Sequence, residues 1–269
     1  MDRRLRYTLA VVVAVQAVVG LLVIVQSPLV SGAIWPFEGM TPLSWIFVGS
    51  IFAAVTASTS WCLLVGSERG LAGIALDHVA ILAPFSILGL ATLVGGASID
   101  VAIFAAVSAV GAFVGVAVLR WSLRRPWRDP RAMPRLVRWS FGVFVVALVA
   151  LGSLLVIRVP SIMPWQVTPE LSTLFGLTFL GAATYFAFGV LEPRWENAGG
   201  QLAGFLAYDL VLIVPFLQRL PTVSDELRLN LFVYTGVLIF SGLLAIWFLL
   251  VDRRTRLGSA RVDDAVPIT

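Results

Sequence analysis

Apolar residues along the chain fall into eight long runs separated by short polar connectors, at residues 7–26, 42–65, 71–94, 101–121, 139–157, 169–191, 201–217 and 230–251. Each run is close to the length of about 20 residues that a helix needs to cross roughly 30 Å of hydrocarbon. The connectors are too short to fold as a soluble domain. The pattern therefore predicts an all-α, polytopic helical membrane protein with eight transmembrane helices in one bundle.

The runs are not independent of one another. Leu21-Leu22-Val23-Ile24 recurs as Leu154-Leu155-Val156-Ile157, and Trp35-Pro36-Phe37 ahead of Thr41-Pro42 recurs as Met163-Pro164-Trp165 ahead of Thr168-Pro169. Gly49 then matches Gly176 in the same register. After a four-residue loop insertion, Leu71-Ala72-Gly73 matches Leu202-Ala203-Gly204, Asp77-His78 matches Tyr208-Asp209, and Pro84-Phe85 matches Pro215-Phe216. Such self-similarity predicts two parallel four-helix repeats, residues 1–122 and 138–251, related by an axis along the membrane normal. A basic linker, 123–137, joins them, and residues 252–269 read as a disordered tail.

Charge sets an expected orientation. All the basic side chains are Arg, and sixteen of the nineteen fall on one side of the eight spans, leaving Arg158, Arg219 and Arg228 on the other. A basic excess marks cytoplasmic loops, so both termini are expected in the cytoplasm and the chain in the inner (plasma) membrane as a multi-pass protein. The apolar run after Met1-Asp2-Arg3-Arg4-Leu5-Arg6 is longer than a usual secretion-signal core and reads as a span. All-Arg usage with abundant Ala, Val and Gly fits a GC-rich, bacterial coding bias.

Composition agrees: 59% of residues are hydrophobic, 13% are charged, and the mean hydropathy is +0.96. The net charge of +4 would otherwise point to nucleic acid, but arginines confined to connectors argue against that partner. One Cys and one His exclude a disulfide framework and any multi-ligand zinc, haem or iron–sulfur site built from this chain alone, so no metal or cofactor is expected. The stretch from Arg120 to Arg138 carries seven arginines and three prolines. It anchors topology, or it binds anionic lipid headgroups at the 123–137 linker.

Candidate chemistry lies in the spans. Asp77 and Asp209 are the two acids well inside them, with His78 beside the first and Tyr208 beside the second. They sit about 10 to 12 Å from the Arg-rich ends of their helices, too deep for a short side chain to reach water. Each should face the interior, because a charge turned to lipid costs at least about 2.5 kcal/mol. The repeat register places His78 opposite Asp209 and Asp77 opposite Tyr208, as two hydrogen-bonded pairs. Pro84 and Pro215, just beyond the acids, should kink their helices near this quartet.

Thr41 and Thr168 read as N-caps, with Pro42 and Pro169 at the first helical position, at the outer interface. Trp35, Phe37, Trp45 and Trp165 nearby form an aromatic belt, or the Trp-Pro segments dip inward as symmetric lids. Glu192, Trp195 and Glu196 read as a solvated loop, and Gly111 with Gly115 as either a dimer face or an intrachain contact.

Two functions follow. The first is a permease or channel-like transporter for a small solute or ion, with or without proton linkage, with Asp77, His78, Tyr208 and Asp209 as its substrate or proton site between the repeats. The second is a non-catalytic membrane subunit, bound to a membrane protein partner, whose quartet only locks packing in a dry, filled interior. No nucleophile–base pair, HExxH or Gly-rich phosphate cradle is present, so an enzyme is not expected.

Overall fold

The computed structural model describes residues 1–27, 35–96, 98–129 and 131–257. These contain eight long helices: α1 (Arg3–Ile24), α2 (Pro42–Val65), α3 (Leu71–Val94), α4 (Ile99–Leu123), α5 (Arg135–Val156), α6 (Pro169–Leu191), α7 (Trp195–Arg219) and α8 (Asp225–Ile246). A five-residue π-helical turn, Trp247–Val251, continues α8. All eight are long and apolar enough to cross a membrane. Several extend past the apolar runs into flanking charged residues, since a helix satisfies its backbone on either side of the hydrocarbon boundary.

Neighbours in sequence pack as antiparallel hairpins, α1 with α2, α3 with α4, α5 with α6 and α7 with α8. Two further contacts, α2 with α7 and α3 with α6, join the hairpins, so α2, α3, α6 and α7 surround the centre of the bundle. Helices in lipid gain little from burying apolar surface against one another, and close backbone approach takes its place. At Gly49 an added Cβ would lie 2.2 Å from Ile24 Cγ1 on α1, and at Gly115 one would lie 2.8 Å from Val79 Cγ2 on α3. Gly111 likewise faces Leu82, so the glycine pair of α4 is an intrachain contact.

Outward faces carry the apolar surface a bilayer would cover: Val11, Phe113, Trp139, Val146 and Leu243 are among the exposed large side chains.

The Arg-rich end differs from its expected form. Helix α7 starts at Trp195, six residues ahead of the apolar run, and Trp195, Glu196 and Asn197 are buried, not solvated. The Glu196 carboxylate accepts the backbone N–H groups of Arg128 (2.6 Å) and Asp129 (2.7 Å) and the Ser67 hydroxyl. A single buried acid therefore ties the linker, the α2–α3 turn and α7 together. Arg128 Nη1 donates to the Gly66 carbonyl (3.1 Å), Arg125 pairs with Glu68 (3.3 Å) and Glu192 with Arg69 (3.4 Å). Residues 131–133 and 193–195 form a short antiparallel bridge, with Met133 N–H on Pro193 O and Trp195 N–H on Arg131 O, both 2.9 Å.

Residues 252–257, expected in a disordered tail, are instead tied to the bundle. Thr255 is buried and donates to Phe248 O (2.7 Å), Leu257 N–H reaches Leu249 O (3.1 Å), and Arg131 Nη1 reaches Arg254 O (2.6 Å). Residues 258–269 lie outside the described residues.

Candidate functional site

A cavity of about 250 Å³ occupies the centre of the bundle. Each inner helix lines it with a stripe at helical spacing. Ile51, Val55 and Ser58 project from α2, Asp77 and Ile81 from α3, and Thr178, Ala182 and Tyr185 from α6. Helix α7 contributes Gln201, Gly204, Tyr208 and Asp209, and the π-turn end of the bundle is approached through Ser241 on α8. Apolar groups dominate the wall. Against that background the two carboxylates stand out.

Asp77 is 8% exposed and Asp209 is 4% exposed, yet Asp77 Oδ1 and both Asp209 oxygens have no hydrogen-bond partner among the described residues. Asp77 Oδ1 points toward α6, where a Cβ added at Gly181 would lie 3.2 Å away. Asp209 Oδ2 lies beside α8, 3.5 Å from the position a Gly242 Cβ would take. Ser241 stands next to it but directs its hydroxyl to Val237 O (2.8 Å). Glycine on the facing helix thus leaves room at each acid. A buried carboxylate without donors is costly, and it calls for a proton or a cation.

The pairs inferred from the repeat are not formed. His78 Nδ1 bonds the Ile74 carbonyl of its own helix (2.8 Å), and His78 does not line the cavity. Tyr208 Oη meets Tyr234 Oη of α8 (2.8 Å) instead of Asp77. The reason is geometric: α3 and α7 stand diagonally across the cavity, and adjacent residues differ by about 100° around a helix. Asp77, Tyr208 and Asp209 therefore share one space, and His78 is turned out of it.

Both helices run through Pro84 and Pro215, and neither ring lines the cavity. The adjacent Phe85 and Phe216 instead support the Trp segments. Trp35 meets Phe85 and Trp165 meets Phe216, each at 6.0 Å between ring centroids. The caps form as expected, Thr41 Oγ1 accepting from Ser44 N–H (3.2 Å) and Thr168 Oγ1 from Leu171 N–H (3.3 Å). The aromatic-belt expectation fails for Trp35 and Trp165, which are 7% and 2% exposed. They close this end of the bundle, and Trp165 Nε1 donates to Ser44 Oγ in the other half (2.9 Å).

The opposite end is closed as well. Gln201 Nε2 donates to Tyr185 O (2.5 Å), Ser58 Oγ to Gly200 O (2.9 Å), and Trp61 packs edge-on to Trp195 (6.1 Å). Sequence reasoning missed Ser58, Tyr185, Gln201 and Glu196 as parts of the site or its closure. Gln201 and Glu196 share helix α7 with Asp209, whereas Ser58 on α2 and Tyr185 on α6 carry no such signal.

The lid is testable. With Cys62 replaced by Ala and Ser58→Cys introduced as a reporter, a membrane-impermeant maleimide should label the cavity slowly from the Trp side. Adding Trp165→Ala should speed that labelling at least about tenfold, because one of the two indoles that close this end is gone; equal rates would show that Trp165 does not seal the cavity.

Eight apolar spanning helices around such a cavity are the architecture of a multi-pass integral membrane protein. The chain matches no family model, no curated protein and no solved structure.

Proposed function

We propose that the protein is a membrane carrier for a small cation or proton-linked solute, with Asp77 and Asp209 as the binding groups and Tyr208 beside them. One observation carries this reading: two nine-tenths-buried carboxylates, poor in hydrogen-bond donors and with Ser241 the one hydroxyl beside Asp209, face the same internal cavity. A protein whose polar groups only locked its packing would have them satisfied by one another in a filled interior. The cavity and the buried acids favour a carrier over that scaffold.

The packing supports a duplicated origin. Exchanging the first four helices for the last four turns the α1–α2 contact into α5–α6, α3–α4 into α7–α8, and α2–α7 into α6–α3. That pattern fits a site between two parallel repeats. The arginine bias supports a cytoplasmic setting for both termini in a bacterial inner membrane. Arg124 and Arg135 in the linker, and Arg120 and Arg138 flanking it, are exposed where anionic headgroups would be met.

The test is proton flux in proteoliposomes carrying an internal pH dye. Flux above the vesicle leak should fall at least about tenfold in the Asp77→Asn, Asp209→Asn double variant, which keeps side-chain size but abolishes charge. His78→Ala should leave it unchanged if the cavity alone carries the ion. Undiminished flux in the double variant would overturn the proposal.

A further inference from the structure

The cavity is closed at both ends of the bundle but not along its flank. Val143, Ala147 and Leu151 on α5 face Val233, Val237 and Ser241 on α8, each set spaced four residues apart, and all six border the cavity. These two helices belong to different hairpins and meet through the rings of Phe144 and Phe240 (6.2 Å between centroids), without the close backbone approach of the hairpin contacts. Val143 is 65% exposed, Val233 59% and Val237 42%, so the outer rim of this slot lies on the surface that lipid would cover. The slot begins about eight residues from the helix ends at Arg135 and Asp225, roughly 12 Å along each helix at about 1.5 Å per residue.

We infer that the substrate is a hydrophobic cation that reaches Asp77 and Asp209 sideways from the lipid phase, through the slot between α5 and α8. The inference rests on the carrier reading and adds the substrate class and its route. A strongly hydrated ion would meet an apolar wall and two plugged ends. An amphiphile already dissolved in hydrocarbon crosses only the valine-lined rim, and it gains the uncompensated carboxylates as its counter-charge. An anionic amphiphile of the same shape is excluded by those acids. The counterpart flank, between α1 and α4, does not border the cavity, so access is one-sided.

The probes are tetraphenylphosphonium, its anionic isostere tetraphenylborate, and hydrophilic tetramethylammonium, each added to the full chain in lipid nanodiscs while the unfolding midpoint is measured. Tetraphenylphosphonium should raise the midpoint in a saturable manner and the other two should not. The rise should vanish in Asp77→Asn, Asp209→Asn and in Ala147→Trp, which fills the slot; Val237→Trp serves as a second block should Ala147→Trp fold poorly. A similar rise with tetraphenylborate would reduce the effect to hydrophobic partitioning and overturn the inference. A rise with tetramethylammonium alone, lost in the double Asn variant and kept in Ala147→Trp, would overturn lateral access yet leave the carrier standing. No response to either cation, together with acid-independent flux in proteoliposomes, would remove both.

Discussion

Glu196→Ala should be among the most destabilising single changes in the protein, lowering the unfolding free energy by about 3 kcal/mol. The carboxylate is 2% exposed and receives two backbone N–H groups and one hydroxyl. Hydrogen bonds to a charged acceptor are worth more than neutral ones, and removing the acceptor leaves its donors unpaired. The damage would not be local. Arg128 and Asp129 lie 67 or more residues away in sequence and Ser67 lies 129 away, so the linker and the α2–α3 turn lose their common anchor on α7 at once. Glu196→Gln should be much milder, because one amide oxygen can still take both backbone donors while its NH2 group turns to Ser67 Oγ. Unfolding midpoints in mild detergent check the order wild type, Gln, Ala. An Ala variant as stable as wild type would mean that the linker holds its place without the acid.

The same acid shows where a sequence is legible and where it is not. The eight spans were readable because lipid imposes one local requirement on every spanning segment, and hydropathy reports it directly. Asp77 and Asp209 were readable for the converse reason, as ionisable groups where the surroundings penalise them. Glu196 looked solvated because Glu-Asn-Ala-Gly-Gly is polar and glycine-rich, and its partners are brought to it only by the folded chain. Trp35 and Trp165 fitted either a belt or a plug, since both place an aromatic ring beside Pro near a helix end. The plug became visible only with Phe85 and Phe216 beneath the rings. His78 was misplaced by treating adjacency to Asp77 as a shared direction, and register alone could not reveal that α3 and α7 face each other across a cavity instead of touching.

Gly176→Ala should destabilise the α5–α6 hairpin by about 2 to 3 kcal/mol through overpacking, although it adds a single methyl group. The new Cβ would lie 2.6 Å from Gly152 O and 2.8 Å from Val156 N, both backbone atoms of α5. A side chain could rotate aside; a helix backbone can only retreat as a body. Retreat would also disturb the Ser172 hydroxyl, which donates to Leu155 O of that helix at 2.8 Å. Gly142→Ala on the same α5 is the matched control, because nothing lies within 4 Å of its added Cβ. That variant should stay within about 1 kcal/mol of wild type, on the stabilising side if helix propensity dominates. Comparing the two unfolding midpoints separates close approach from the general effect of replacing glycine, and equal shifts would show that α5 and α6 are not held together by backbone contact.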